Sequence, residues 1–209
     1  MNIRPHHLLC VQNYIGYGYN EEFRLHMDEI TKNLAEDPEV VIHEGCDDIC
    51  TACPHKRDGV CTSIDKVDRM DSKALSACNL KYGDKRKWKN LAVLAKAKVF
   101  ETDKFYEICH DCQWYDICQK RRAQISRIER YEKIMREVEM SLDRHTGYDE
   151  DALQDEVSKL EKYYESDEWK EDYAADEKGL LPIDLKRGVL SEDGLYDLLE
   201  RYKSLCKKT

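Results

Sequence analysis

Six cysteines fall in two short windows. Cys50-Thr51-Ala52-Cys53 is followed by Cys61, and Cys109-His110-Asp111-Cys112 is followed by Cys118. A C-x-x-C turn aims two sulfurs at one point, the geometry that a tetrahedral zinc ion or an iron–sulfur cluster requires. One such pair is a weak signal. Two pairs, each with a trailing thiol, point to an inorganic centre shared by the windows or to one centre in each. Cys50, Cys53, Cys61, Cys109, Cys112 and Cys118 are therefore the expected ligands. The N-terminal stretch Arg4-Pro5-His6-His7-Leu8-Leu9-Cys10 adds candidates. Pro5 suits the first turn of a helix. His6 and His7 then stand four and three residues from Cys10, so one helix face presents an imidazole and a thiol together. His6, His7 and Cys10 are extra ligands, or the histidines handle protons near the centre. The plainer alternative makes Leu8, Leu9 and Cys10 core and leaves the histidines capping or solvated. Cys46 reads as a spare thiol, Cys78 as a small core hydrophobe, and His55 as a solvated loop histidine.

The expected cofactor is an iron–sulfur cluster with four irons, and the expected role is electron carriage or redox sensing. The alternative is structural zinc, which contributes folding energy and no redox chemistry and makes the protein an interaction module. Thiolate ligands alone do not choose between the two metals. A thiol–disulfide enzyme is disfavoured because the chain lacks a βαβ pattern around either C-x-x-C. No hydrolase constellation is visible: Asp47, Asp48 and the acidic helices read as caps and solvated faces, and no catalytic residue is assigned. The partner implied is a redox protein or another protein.

Composition narrows the setting. The 209 residues are 41% hydrophobic and 37% charged, with a net charge of −9. An acidic chain without a basic stripe argues against nucleic-acid binding. No run of apolar residues reaches the roughly 18 needed to cross a membrane. Met1 to His7 is polar, without the apolar core of a secretory signal, so a cytoplasmic location is expected. In that reducing compartment clustered thiols are metal ligands more often than disulfides.

Stepping along the chain gives a mostly α protein. An irregular cysteine-rich metal-binding domain, residues 1–121, precedes an antiparallel helical-hairpin domain, residues 122–209. Asn20 caps a helix through Phe23, Met27, Ile30 and Leu34 that ends at Asp37-Pro38. Val40 to Ile42 read as a short extended piece. Pro54 and the Asp58-Gly59 turn make the first window a compact knuckle. Helices are expected over residues 64–80, with Met70 or Asp71 on the apolar stripe, and from Trp88 to Phe100. After Cys118, apolar residues at three- and four-residue steps from Ile125 to Leu142 and from Leu153 to Tyr164 predict two long helices joined at His145–Tyr148. The second half holds one cysteine, Cys206, and cannot build a metal site alone.

Two family resemblances follow from these motifs. Residues 1 to about 120 resemble a bacterial and archaeal family of unknown function described as iron–sulfur binding. The marks are Arg4-Pro5-His6-His7-Leu8-Leu9-Cys10, Gly16-Tyr17-Gly18-Tyr19, Asp48-Ile49-Cys50 with Cys53-Pro54-His55 and Cys61, and Cys109/Cys112-x-Trp114 with Cys118. Residues from about 122 onward resemble a second helical family of unknown function. Its marks are Ile128 to Glu132, Tyr163-Tyr164-x-Ser166-x-x-Trp169, and Leu181-Pro182-x-Asp184-Leu185-Lys186-Arg187-Gly188-Val189-Leu190-Ser191-Glu192-Asp193. The first resemblance implies an iron–sulfur site, and neither implies a substrate. The second window is also similar in spacing to the last three ligands of the four-iron loop in some DNA-repair glycosylases. The upstream ligand of that spacing falls at Thr102, so a fourth thiolate has to come from elsewhere.

Overall fold

The structure is a computed structural model that describes residues 1–144, 149–182 and 184–206. It is mostly helical and divides into two compact units, Met1–Lys120 and Arg121–Thr209. The connection expected at His145–Tyr148 and the side chain of Cys206 lie outside the described residues.

In the first unit a short strand β1 (Asn2–Ile3) leads into helix α1 (His7–Gln12), which buries Leu8, Leu9 and Val11. Helix α2 (Glu21–Ala35) starts where Asn20 accepts the Phe23 N–H at 2.8 Å, with Glu21 and Glu22 in its first turn. It buries Met27, Ile30 and Leu34, as the spacing predicts. Strand β2 (Glu39–Ile42) pairs parallel with β1, Ile3 opposite Ile42. After the first cysteine window come β3 (Lys56–Arg57) and β4 (Val60–Cys61), a hairpin closed by Asp58 at φ 49° and Gly59 at φ 81°. Positive φ at both loop positions is the two-residue turn that matches strand twist. Helix α3 (Ile64–Cys78) follows, then β5 (Lys85–Lys87), which pairs antiparallel with β2 at the edge of the small sheet. Helix α4 (Trp88–Ala95) widens into a π-turn, Lys96–Phe100, and α5 (Lys104–Cys109) delivers the second window. Ile3, Leu9, Leu34, Ile42, Leu91 and Ile108 lie in one apolar core, and buried Cys78 belongs to it as expected.

Helix α6 (Tyr115–Arg144) carries Cys118 near its start and supplies Ile125, Ile128, Met135, Val138 and Leu142 to the core of the second unit. Helix α7 (Glu150–Tyr164) adds Leu153, Val157 and Leu160. Tyr131 and Tyr163 stack with ring centres 3.8 Å apart. They lie at equal distances either side of the connection, as an antiparallel pair requires. Helices α8 (Asp167–Glu177) and α9 (Glu192–Cys206) complete this unit. Trp169 donates its indole N–H to the Val189 carbonyl at 3.0 Å, and Glu132 accepts the Val189 N–H at 2.9 Å. These bonds tie the loop before α9 to α6 and α8.

Candidate metal centre

The first unit contains a cavity of about 200 Å³. Seven of the described cysteines line it: Cys10, Cys50, Cys53, Cys61, Cys109, Cys112 and Cys118. All six window cysteines thus border one space, joined by Cys10 from α1, and His6 and His7 border it too. The windows lie far apart in sequence, and the core that packs α1, α3 and α5 together brings them to one place. Tyr19 stands between them. Its ring centre lies 4.6 Å from that of His55, beside the first window, and 5.7 Å from that of Trp114, beside the second.

The positions of the two histidines are set by buried carboxylates. Asp71, on α3 and 0% exposed, accepts the His6 N–H at 2.9 Å and the His6 Nδ1 proton at 2.6 Å. Its other oxygen accepts from Arg4 Nε at 2.8 Å and lies 2.7 Å from Arg4 Nη2. Arg4 is 1% exposed and also reaches Asp68 at 2.7 Å. Asp47 plays the same part for His7. Its Oδ2 lies 2.7 Å from His7 Nδ1 and accepts the Arg4 N–H at 2.6 Å, while Oδ1 accepts the Cys50 N–H at 3.1 Å. A carboxylate only accepts, so Nδ1 carries the proton in both rings and Nε2 is left as the acceptor. A carboxylate behind a histidine is the arrangement that fixes metal-binding or proton-handling imidazoles.

Burial would raise the Asp47 pKa, but the charge and hydrogen bond of His7 and the N–H groups of Arg4 and Cys50 outweigh it and hold the carboxyl well below the usual range. Asp71 is lowered in the same way, against burial, by His6 and Arg4. Burial first, and then the charge of His7, lower His6 to about 4 from 6.5, overcoming the pull of Asp71. The folded state therefore binds fewer protons at His6 than the unfolded chain between those values. Stability should fall as pH drops from 6.5 through about 4, by on the order of 3 kcal/mol. Hydrogen exchange of α1 and α3 against pH checks this. His6→Asn, which keeps a donor for Asp71 and removes the titration, should flatten the profile; an unchanged profile would exclude His6 as the cause.

The thiols are poor acids without a cation. Burial pushes Cys109 up to about 12, helped by the charges of Cys112 and Cys118, and Cys118 up to about 11, helped by Cys112. Cys10 rises well above its ordinary value, through burial and then through Cys112, Cys118 and Cys109. Cys10 thus borders the same cavity as the three thiols of the second window. Asn13, 3% exposed, also borders the cavity, and its Oδ1 has no hydrogen-bond partner.

His7, Asp47 and Cys50 have ligand atoms all within 4.8 Å of one another. Asp47 already accepts three hydrogen bonds, so it orients His7 and does not complete a metal site. Among the described residues no three thiols come within that distance of one another.

Two residues read as surface groups or stripe fillers have other roles. Asp47 is 5% exposed rather than solvated; it caps the turn at Cys50, as expected of a cap, and also holds His7 and the Arg4 N–H. Asp71 sits on the buried stripe of α3 because Arg4 and His6 compensate it. The signal for both was the Arg-Pro-His-His motif, whose buried donors need acidic partners.

A thiol-lined cavity in a small helical unit, followed by a second helical unit without clustered metal ligands in its sequence, defines the class: a two-domain helical protein with one cysteine-rich candidate centre. Residues 18–118 match the family model described as "Protein of unknown function (DUF1284)", and residues 125–209 match that described as "Domain of unknown function (DUF4298)". No curated protein and no solved structure matches the chain.

Proposed function

We propose that residues 1–120 hold a four-iron iron–sulfur cluster on Cys10, Cys109, Cys112 and Cys118 and that the protein carries electrons or senses oxidants. The observation that carries this reading is the single cavity bordered by seven cysteines. Its volume of about 200 Å³ is several times what one closed zinc site occupies, since such a site leaves no void between its ligands. When bound, the cluster supplies one-electron chemistry. The chain supplies the thiolates, a wall of Tyr19, Trp114 and Ile117 that limits water, and two oriented imidazoles.

This reading calls for a reducing, cytoplasmic setting, where half-buried thiols persist. It calls for a protein redox partner and for no nucleic acid. No helix among the described residues is long and apolar enough to cross a membrane.

Protein purified without oxygen should be brown, with iron and acid-labile sulfide in equal amounts and absorption that bleaches on reduction. Cys112→Ala should lower bound iron by at least half. Cys78→Ser, in the core and away from the cavity, should leave iron unchanged. Colourless protein with stoichiometric zinc, or unchanged iron in Cys112→Ala, would overturn the reading.

A further inference from the structure

We propose that the cavity of the first unit binds a small organic acid that carries an N–H or O–H donor, the class of amino and hydroxy acids. Its carboxylate sits at Lys66 and Ser63, and its donor meets Asn13 Oδ1. The inference goes beyond the metal reading and does not rest on it, since none of these three residues is a thiol.

Asn13, Ser63 and Lys66 all border the cavity, and each has bonding capacity that the chain leaves unused. Asn13 ends α1 and is 3% exposed. Its Nδ2 donates to the Leu9 carbonyl at 3.0 Å, so the amide nitrogen is committed to the helix and Oδ1 is the end without a partner. A buried acceptor left unpaired is rare in native proteins and costly. A ligand N–H or O–H supplies what it lacks. Ser63 stands just before α3, where a serine ordinarily accepts an N–H of the first turn. Here its hydroxyl makes no such bond. Lys66 lies three residues further on and is half-buried. The positions three and four away from it are Thr62, Ser63, Arg69 and Met70, so its own helix offers no carboxylate. Asp68 is taken by Arg4 and Asp111 by Arg69, and among the described residues Lys66 forms no ion pair. A cation partly withdrawn from water without a counter-charge is a receptive partner for an anion.

Charge and size choose the ligand. Arg4 also borders the cavity, but its guanidinium is committed to Asp68 and Asp71. Lys66 is then the one uncommitted ammonium, and a single positive charge matches one carboxylate better than a doubly charged phosphate. A hydroxyl beside that ammonium adds a second donor to the carboxylate. The unpaired Asn13 acceptor asks for a donor on the same molecule. Amino and hydroxy acids carry both groups, and binding one leaves all three side chains paired. The space of about 200 Å³ is the share of roughly six or seven waters. With a metal centre at the thiols the ligand is therefore small, on the scale of glycolate or alanine.

Calorimetric titration of the full-length protein with glycolate, L-alanine, acetate and inorganic phosphate tests this, in whatever metal state the protein purifies. Glycolate or L-alanine should bind at one site per chain. Acetate, which has the carboxylate but no donor, should bind at least about tenfold more weakly, because it leaves Asn13 Oδ1 unpaired. Lys66→Met should weaken the tighter ligand by at least about tenfold. Asn13→Ala should bring that ligand and acetate to similar affinity, a change in preference that a merely structural role would not produce. No binding of glycolate or L-alanine overturns the proposal, and so does acetate binding as tightly as either. Wild-type affinity in Lys66→Met overturns it too, since the ligand then sits on the metal or elsewhere on the surface. Phosphate binding more tightly than both acids, and lost in Lys66→Met, rejects the organic-acid class. If Asn13→Ala does not fold, the wild-type preference over acetate decides. Selective binding by protein that holds zinc or no metal leaves this site standing while the iron–sulfur reading falls; iron without ligand binding does the reverse.

Discussion

Asp71→Ala is expected to destabilise the first unit by about 3–5 kcal/mol, the effect of removing one partner from a buried ion pair. Asp71 is fully buried and accepts from Arg4 Nε, from the His6 N–H and from His6 Nδ1, at 2.6–2.9 Å. Its loss leaves the Arg4 guanidinium, 1% exposed, with only Asp68, whose side chain is 59% exposed. It also leaves two donors of His6 unsatisfied in a dry environment. Arg4→Met should be milder, because Asp71 keeps both His6 donors. Asp71→Asn should resemble Asp71→Ala, because an amide does not neutralise the guanidinium. Urea unfolding of the full chain, read through exchange protection of α1 and α3, measures the difference. A midpoint for Asp71→Ala equal to wild type would mean that Arg4 and His6 have other partners in solution. Asp71 also anchors the start of α1, and α1 carries Cys10. On the proposed iron–sulfur reading, the same variant should therefore also lower bound iron.

That coupling marks the limit of what the sequence alone conveyed. Each C-x-x-C window was legible because its geometry is local: two thiols three residues apart meet whatever surrounds them. The hairpin after Cys53 was legible for the same reason, through Asp58-Gly59. Helices α2, α3, α6 and α7 announce themselves by apolar steps of three and four, with Asn20 marking a start. Long-range partners were not legible. The residues between Cys10 and the second window carry no pattern that joins them; the join is made when α1 packs into the core. Asp71 lies next to Met70 on an amphipathic helix, where a carboxylate at the stripe's edge ordinarily faces water. Only an arginine 67 residues upstream makes its burial affordable. Strand β5 is Lys85-Arg86-Lys87, all exposed, with no alternation to read. It is a strand because β2 has an open edge, and its charges guard that edge against further pairing. The π-turn at Lys96–Phe100 likewise has no signal in an alanine- and lysine-rich run.

The second unit offers an equally large effect from a residue that reads as one more charge on an acidic helix. Asp172, on α8, is 0% exposed. It accepts from Tyr163 Oη at 2.6 Å, from Arg127 Nε at 2.8 Å and Nη2 at 2.6 Å, and from Gln124 Nε2 at 3.0 Å. Four donors from two helices, α6 and α7, converge on one carboxylate of a third. Two parallel bonds from one guanidinium add orientation as well as strength. Asp172→Ala removes every acceptor at once. The Tyr163 hydroxyl is left without an acceptor in a residue 1% exposed, and Arg127 keeps only Glu168 at 3.4 Å, whose side chain is 60% exposed. The expected loss is again about 3–5 kcal/mol, read as a lower urea midpoint for exchange in α7 and α8. Tyr163→Phe separates the contributions. It removes one donor and leaves the ion pair, so its effect should stay near 1 kcal/mol, the usual worth of one hydrogen bond. A Tyr163→Phe loss as large as that of Asp172→Ala would mean that the hydroxyl, and not the buried charge pair, holds α8 against α6 and α7.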